Sequence, residues 1–444
     1  MVAYYFPPLA TSGAMRPLGF CRHLHEWGWA PRVVAADPWA LTPPLPVDAA
    51  LGRRIPAAVH VDRVGHITPI DVLVRIRNAV RRRLSGAAPA NPAPRPAGDV
   101  GRPESGFLHS LMELALEHLF LVPDAQRWWL RRAVNAGASG DRPDVVYATG
   151  SPWTSLLVGR ALARWYRVPF VADFRDPWVR NPFRAFLPFV RARSRRLERR
   201  ICRDAARVVV NTMELREQFA ADYPEMRDKF IAVSNGFDDG DGSGAIASPP
   251  RADPAAAGAV ELWHFGTVYG KRTPAALLEA VSRLHAAGRI PPGRLRIRFV
   301  GAWELPDDDA ASRLAARLEA DGLVTRDPSV AHHVCLLLMR QAPVLLVIQP
   351  DSPLQVPAKI FEYISARRPL LVIGGEGATA ALVDRHRLGR SVANDSDAIE
   401  TLLAALADGE ALAAPPAASV DEFSYRRLSR QLAGVFDAAV RVAS

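Results

Sequence analysis

The sequence predicts an α/β fold of two doubly wound domains, each built around a parallel sheet. Short apolar runs alternate along the chain with helical patterns, which is typical of a parallel sheet covered by helices on both faces. The alternation occurs twice, and a stretch rich in Gly, Ala, Ser and Pro at residues 240–259 separates the two series. The length of 444 residues also exceeds what one hydrophobic core usually serves. We therefore expect two domains of roughly 200 residues each.

The strands of the first domain are predicted from five apolar runs and a weaker sixth. The first domain is accordingly placed at residues 1–240. Within it, the Ala- and Pro-rich segment 86–103 has the composition of a disordered loop. The six runs are Val2–Phe6, Arg32–Ala36, Val145–Thr149, Phe170–Phe174, Val208–Asn211 and, more weakly, Phe230–Ser234.

Four further runs predict the strands of the second domain, which is placed at residues 259–423, after a linker at 241–258. Residues 424–444 carry apolar side chains at every fourth position, so we expect a C-terminal helix that packs across the domain interface. The four strand runs are Val260–Phe265, Leu295–Val300, Val344–Ile348 and Leu370–Ile373, and the helical positions are Leu428, Leu432 and Phe436.

The composition excludes several classes of protein. Three widely separated cysteines, without a CxxC pair or a His cluster at metal spacing, predict no disulfide framework and no metal site. No signal peptide is recognised at the N-terminus, and no run of 18 apolar residues predicts a membrane span. The apolar fraction of 49% is ordinary for a globular protein. We expect a cytoplasmic protein.

The positive charge is confined to the first half of the chain. Residues 1–230 contain 34 basic and 21 acidic residues, whereas the remainder contains 22 and 25. This asymmetry favours an anionic partner for the first half: membrane lipid, nucleic acid or a phosphorylated substrate. Two basic amphipathic stretches, 73–84 and 183–203, are suited to the inner face of the plasma membrane, and equally to a solvated helix face.

Lysine is scarce, which draws attention to where it occurs. Only three of the 56 basic residues are lysines, at Lys229, Lys271 and Lys359. Lysine is a compact point charge and arginine a planar fork, so the two are not equivalent at a tight site. Lys271 and Lys359 lie in motif-like stretches and predict two cations that face an anion. The alternative is that these lysines remain by random sequence drift and have no functional role.

Candidate binding residues of the first domain follow its predicted strands, where ligands bind in open α/β sheets. Gly13, after the first strand, permits close backbone approach, and the next helix would direct free N–H groups at an anion. Asp173, Arg175 and Asp176 are clustered in DFRDPW. These three residues are suited to binding sugar hydroxyls, an acceptor or a phosphate. The alternative is that Arg175 forms an internal ion pair.

The second domain contains a candidate binding site for a diphosphate. After its first strand comes GTVYGKRTP, in which Gly266 precedes a turn and Lys271 and Arg272 stand near the start of a helix. Lys359 and Glu362 lie three residues apart on one face of a later helix, in its first turn. The alternative for Lys359 and Glu362 is a surface ion pair.

The order of these motifs resembles a known family. FPP…SGAMRP, DFRDPW, SNGFD, HFGTVYGKR and VPAKIFEY…RRPLLVIGG together resemble the group 1 (family 4) glycosyltransferases with the GT-B fold, in their bacterial surface-polysaccharide branch. The resemblance implies two Rossmann-like domains that face each other across a cleft. It also implies a nucleotide-diphosphate sugar held by the second domain and a glycan or lipid-linked acceptor held by the first. Transfer would proceed with retention of configuration and without a cofactor or metal.

The resemblance also assigns roles to residues of this chain. Lys271 and Arg272 would neutralise the leaving diphosphate. Gly13, Gly266, Lys359 and Glu362 would bind the donor with them, Glu362 through the ribose hydroxyls. The acceptor would be bound by Arg16, Arg175 and Asp176. From the DFRDPW cluster, we also expect Asp173 to be catalytic.

One position departs from the family. Leu354 stands where the first acidic residue of the Glu-x7-Glu motif contacts the transferred sugar, and Asp351 is the nearest substitute. The departure keeps a non-catalytic GT-B partner subunit open. Nucleotide-sugar 2-epimerases and phosphorylases, which share the two-domain frame, also stay open. Nucleic-acid binding is disfavoured, because the arginines are not interleaved with aromatic residues of a known module.

Overall fold

A computed structural model describes most of the chain. The predicted linker 241–258, the basic stretch 73–84, the segment 86–103 and Asp351 lie outside the described residues, as does the side chain of Lys271. The described residues are 1–41, 43–67, 122–182, 186–238, 260–291, 293–350 and 352–443.

Seven strands form the first sheet, in the order β3-β2-β1-β4-β5-β6-β7. The pairs β1–β2, β1–β4, β2–β3 and β4–β5 are parallel. The strand order runs outward in both directions from β1 and β4, as in a doubly wound sheet. The strands are β1 Val2–Ala3, β2 Val33–Ala36, β3 Val61–Val64, β4 Val146–Gly150, β5 Phe170–Phe174, β6 Arg207–Val210 and β7 Phe230–Ala232.

Six strands form the second sheet, in the order β10-β9-β8-β11-β12-β13, and all its pairs are parallel. The same doubly wound plan is therefore repeated. The strands are β8 Val260–Phe265, β9 Leu295–Val300, β10 Val324–Asp327, β11 Val344–Ile348, β12 Leu370–Ile373 and β13 Gly389–Val392.

Helices connect most of the strands. In the order of the chain they are α1 Ser12–His23, α2 Ala49–Gly52, α3 Leu130–Ala138, α4 Thr154–Tyr166, α5 Pro188–Asp204, α6 Met213–Asp222, α7 Ala275–Ala286, α8 Ala310–Ala320, α9 His332–Gln341, α10 Lys359–Ser365, α11 Ala378–Arg385, α12 Ser396–Ala407, α13 Ala417–Asp421 and α14 Tyr425–Ala443.

The central strand β11 shows why continuous apolar runs predict these sheets. Alternate side chains of a strand point to opposite faces. Leu346 and Ile348 enter a core with α7 and α12, whereas Leu345 and Val347 enter another with α10. Both faces of β11 are thus buried, and the strand is apolar at every position.

Contact density divides the chain into two compact units, Met1–Val209 with Val435–Ser444, and Val210–Gly434. By hydrogen bonding, the first sheet ends at Ala232 and the second begins at Val260. The predicted domain boundaries, and the packing of the C-terminal helix across an interface, stay predictions. No helix in the described part of the chain is long and apolar enough to cross a bilayer.

Candidate functional site

Two candidate sites lie at the carboxyl edges of the two sheets, where the strand order reverses. The reversal falls between β1 and β4 in the first sheet and between β8 and β11 in the second. Loops that leave the strands at such a point diverge, and the crevice between them is where ligands bind in open α/β sheets. Most of the predicted site residues lie in these loops or in the first turn of the following helix.

In the first unit, Arg175 joins three loop carbonyls at the end of β5. Its Nη1 donates a hydrogen bond to the carbonyl of Gly13 and its Nη2 to that of Ser151. Its Nε donates to the carbonyl of Gly150 at 3.3 Å. Arg175 is 8% exposed, and within the described ranges no carboxylate forms an ion pair with it. The guanidinium of Arg175 is therefore bonded to backbone carbonyls and does not form the internal ion pair that was the alternative prediction.

The local sequence explains why Gly13 accepts from Arg175. α1 contains Pro17, which has no N–H and so cannot donate the helical hydrogen bond to the carbonyl four residues earlier. Arg175 supplies the missing donor. A Cβ atom on Gly13 would lie 2.8 Å from Cδ2 of Tyr5 and 2.9 Å from Nη1 of Arg175. Glycine at position 13 therefore keeps the start of α1 against the Arg175 side chain.

Arg16 and Asp173 lie in the interior of the first unit. Nε and Nη2 of Arg16 each donate to a different carboxylate oxygen of Asp173, both at 2.9 Å, and the Tyr147 hydroxyl also donates to Asp173. Asp173 is 0% and Arg16 1% exposed. This arrangement favours a role in fixing α1 on β5 over direct contact with a substrate. Asp176 is partly buried beyond it, and its predicted acceptor role stays a prediction.

A buried carboxylate at this edge escaped the sequence reasoning. Asp124 accepts hydrogen bonds from the backbone N–H of Thr154 at 2.9 Å and of Gln126 at 3.1 Å. Burial raises its pKa, and these hydrogen bonds oppose the rise. Asp124 thereby caps the start of α4. Its sequence signal was an Asp directly before a short helical turn, Ala125–Trp129, which is too common to single out.

In the second unit, two glycines bring strand ends together beside Lys359. Gly266 after β8 and Gly301 after β9 have φ of +117° and +151°. A Cβ on Gly301 would lie 2.4 Å from the carbonyl oxygen of Gly266, and one on Gly266 would lie 3.7 Å from Nζ of Lys359. Gly266 therefore borders the Lys359 ammonium, as the prediction that both residues belong to one site requires.

Lys359 opens α10 and turns its ammonium toward the end of β8. Nζ lies 3.2 Å from Nε2 of His264 and donates to the carbonyl of Phe265 at 3.1 Å. Burial and then the charge of Arg272 lower the pKa of Lys359 to about 7, and Cys335 and Glu362 act in the opposite direction. An ammonium held in this way gains from an added anion.

Arg272 approaches the same place from the turn after β8. Its Nε is buried and has no hydrogen-bond partner in the described part of the protein. Its guanidinium carbon lies 5.7 Å from the ring centroid of Tyr269. The backbone of Lys271 lies in the same 3-10 turn, Gly270–Arg272. A buried donor without an acceptor is costly, so an anionic ligand would satisfy it.

Glu362 stands in the first turn of α10, beside this group. Its Oε1 lies 3.1 Å from Nε2 of His332, and both side chains are partly exposed. Glu362 and Lys359 do not form the surface ion pair that was the alternative prediction. Glu362 contacts His332 instead, and at the carboxyl edge it is in a position suited to accepting hydrogen bonds from hydroxyl groups.

No metal centre is visible in the described ranges. Their His, Cys, Asp and Glu side chains form no group of three that would hold an ion. The expectation of a metal-independent reaction stays a prediction.

The match to a family model decides the class of the protein. Residues 87–241, about a third of the chain, match the model for Glycosyltransferase Family 4. The chain is a glycosyltransferase. Together with the fold, the match supports the predicted resemblance to family 4. The bacterial surface-polysaccharide branch stays a prediction. No curated protein matches the sequence.

Solved structures share the fold over nearly the whole length of this glycosyltransferase. HepE of Anabaena in complex with UDP and glucose is 14% identical, with 98% of each chain covered and a TM-score of 0.57. A glycosyltransferase from Rickettsia africae is 10% identical, covers 99% of this chain and 97% of its own, and has a TM-score of 0.56. The N-terminal domain of trehalose-6-phosphate phosphatase from Candida albicans is 10% identical over 98% of this chain and 96% of its own, with a TM-score of 0.59. These likenesses confirm the predicted α/β fold of GT-B type.

Proposed function

We propose that this glycosyltransferase moves a sugar from a nucleotide-diphosphate sugar to a glycan or lipid-linked acceptor, with retention of configuration. The observation that carries the proposal is the convergence of Lys359 and Arg272 at the end of β8. The two are close enough for Arg272 to lower the pKa of Lys359. Arg272 also keeps a buried Nε without a partner among the described residues. A diphosphate would relieve the repulsion and satisfy the donor in one step.

The same residues account for catalysis in this proposal. When the glycosidic bond of the donor breaks, negative charge grows on the diphosphate that leaves. Fixed cations act most strongly on charge that develops in the transition state, because they need no reorganisation when it appears. Arg272 and Lys359, with Lys271 beside them in the chain, would thus do what a metal does in other transferases. A role for Asp173 in the chemistry is not part of the proposal, since it has no solvent exposure.

We assign the nucleoside to the neighbouring Glu362 and the acceptor to the first unit. Glu362 lies on the helix that begins with Lys359, so one ligand can reach both. In the first unit, the charge of Arg175 and the close-packed Gly13 mark the carboxyl edge that an acceptor or the transferred sugar would meet. The UDP and glucose bound by HepE support a UDP-sugar as the first donor to try.

Ligand-induced stabilisation tests the donor site. A panel of UDP-, GDP-, ADP- and dTDP-sugars, measured with EDTA present, is expected to raise the melting temperature with at least one base, because a ligand of the native state stabilises it. Arg272→Ala should abolish the shift. Arg296→Ala is the matched control, since Arg296 is exposed on β9. The proposal is contradicted if the increase in melting temperature persists in Arg272→Ala. It is also contradicted if none of the sugar nucleotides raises the melting temperature of the unmodified protein.

The departure at Leu354 favours one second candidate within the glycosyltransferase class, a chain that has lost catalysis and serves as a GT-B partner subunit. Such a subunit would bind the donor without turning it over. Release of nucleoside diphosphate, measured with the donor identified by the melting screen and a pool of lipid-linked acceptors, separates the two. Release that depends on Arg272 supports the transferase, whereas binding without release supports the subunit.

A further inference from the structure

A buried histidine lies directly behind the proposed diphosphate-binding site. Nδ1 of His264, on β8, lies 3.0 Å from the carbonyl oxygen of Leu346 on β11, and its Nε2 lies 3.2 Å from Nζ of Lys359 on α10. A continuous chain of contacts therefore runs from the middle of the sheet to the ammonium. His264 is 3% exposed, so it has no direct access to a ligand in solvent.

The geometry fixes the state of the imidazole. A carbonyl oxygen only accepts hydrogen bonds, so Nδ1 must carry the proton that points at Leu346. The Nε2 atom of a neutral ring is then an acceptor, which matches the ammonium of Lys359 on that side. Burial, followed by the charge of Lys359, lowers the pKa of His264 well below its usual value. The ring is therefore neutral, with a single tautomer.

We propose that His264 is a positioning residue that holds the Lys359 ammonium, protonated, at the carboxyl end of β8. The inference rests on the proposed function, because the diphosphate is the anion that the ammonium would meet. A lysine side chain loses rotamer entropy when it is fixed in one conformation. The two acceptors, His264 and the Phe265 carbonyl, fix it before the ligand arrives and leave the third N–H of the ammonium for a phosphate oxygen.

Every element packed around Lys359 contributes to its charge state. Arg272, from the turn after β8, repels the ammonium, whereas Cys335 of α9 and Glu362 of α10 favour it. His332 of α9 partners Glu362. With its pKa at about 7, Lys359 needs an acceptor such as His264 to be an ammonium near neutral pH. Binding of a diphosphate should therefore take up a proton.

Two substitutions separate the contacts of His264. In His264→Gln the side-chain oxygen reaches the place of Nε2 and still accepts from Lys359. In His264→Asn the amide reaches only the place of Nδ1, so the bond to Leu346 is kept and the acceptor for Lys359 is lost. Asn leaves more empty volume than Gln, so a role in core packing alone predicts a larger loss of stability in His264→Asn. A shift in the titration of Lys359 is expected only from loss of the acceptor.

The scarcity of lysine makes the charge state directly observable. Labelling with lysine enriched in ¹³C at Cε gives three resonances, because the chain has three lysines, and Lys359→Met identifies one of them. We expect the Lys359 resonance to titrate near pH 7 in the unmodified protein and in His264→Gln. It should titrate at lower pH in His264→Asn. Titrations that coincide in all three proteins, or that shift equally in both variants, would overturn the inference.

The second readout is the affinity for UDP, which serves as a probe of the diphosphate-binding site. In the unmodified protein it should fall as the pH rises above 7, with proton uptake on binding seen as a dependence of the calorimetric heat on the buffer. At pH 7, His264→Asn should bind UDP about fivefold more weakly if the pKa of Lys359 falls by one unit from about 7, and about tenfold more weakly for each further unit. His264→Gln should stay within about threefold of the unmodified protein by the same relation. Equal affinities in Asn and Gln variants count against His264. A protein that binds no sugar nucleotide but shows the titration difference refutes the proposed function and keeps the positioning contact.

Discussion

The side chain of Arg175 donates to the carbonyl of Gly13 the hydrogen bond that the backbone of residue 17 cannot make. Pro17 removes an N–H from the second turn of α1, and a guanidinium from the end of β5 fills the gap. The start of α1 is thereby tied to the loops after β4 and β5. A local sequence feature, one proline, thus determines where a charged side chain of the site is held.

Replacement of Gly13 by Ala should destabilise the protein. The new Cβ would fall within 3 Å of both Tyr5 and Arg175, so one of these packed groups must move, at about 1–3 kcal/mol. Gly434→Ala is the matched control, because Gly434 is also helical and a Cβ there has open space. The control should gain about 0.4–1 kcal/mol. Urea denaturation measures both, and equal midpoints for the two variants would refute the packing argument.

The buried pair of Arg16 and Asp173 should behave as a structural element. Asp173→Asn leaves the Arg16 guanidinium buried without its charge partner, at a cost of about 3–5 kcal/mol. Arg367→Ala breaks the exposed pair with Asp421 and should cost less than about 1 kcal/mol. The urea denaturation midpoints of the two variants measure these two losses of stability. If Asp173→Asn is as stable as the control but has lost transfer activity, the original catalytic assignment is right.

Lys359 should reduce stability in its charged form. Its pKa is about 7 in the folded protein and about 10.4 in the unfolded chain. The unfolded state therefore binds more protons between these values, and the stability contributed by Lys359 rises with pH through this window. Lys359→Met should be more stable than the unmodified protein at pH 7, and the difference should shrink toward pH 10. The window lies above the ordinary pKa of histidine, so His264 does not interfere. A difference that is constant with pH would contradict the lowered pKa.

The basic helix α5 should bind anionic membranes. It carries seven arginines against two acidic residues, and Phe189 in its first turn is 52% exposed. Replacement of Arg191, Arg195 and Arg196 by Ala should abolish co-sedimentation with phosphatidylserine vesicles at low salt, since each basic residue contributes about 1 kcal/mol. The matched variant removes Arg426, Arg427 and Arg430, which are exposed on α14. If neither variant changes binding, or the unmodified protein does not bind, the membrane proposal fails.

All ten strands predicted from apolar runs are present, five of them with the predicted bounds and five with shifted ends. The three that were missed, β3, β10 and β13, have the sequences VDRV, VTRD and GRSV. Each lies at the edge of a sheet. An edge strand is covered less completely than a central one, so it need not be apolar at every position. The pattern that reveals central strands is therefore weak at the edges.

The site was predicted unevenly, for a similar reason. Lys359, Glu362, Gly266 and Arg272 were predicted as site residues because each stands close to a strand end in the sequence, and the fold brings them to one edge. Their roles stay predictions. His264 was missed because it is the fifth residue of a six-residue strand and reads as part of the core. Its contact with Lys359 spans 95 positions.

By itself the sequence determined the repeated α/β plan, the two carboxyl edges and the residue types gathered there, because periodicity and strand-end positions are local properties. Only the tertiary structure decided which charged side chains bind other groups of the protein. It buried Arg16 against Asp173, left Arg175 on backbone carbonyls and set a neutral histidine behind Lys359. Burial and pairing depend on residues far apart in the chain, so a charged side chain reads alike in sequence whether it meets a ligand or another side chain.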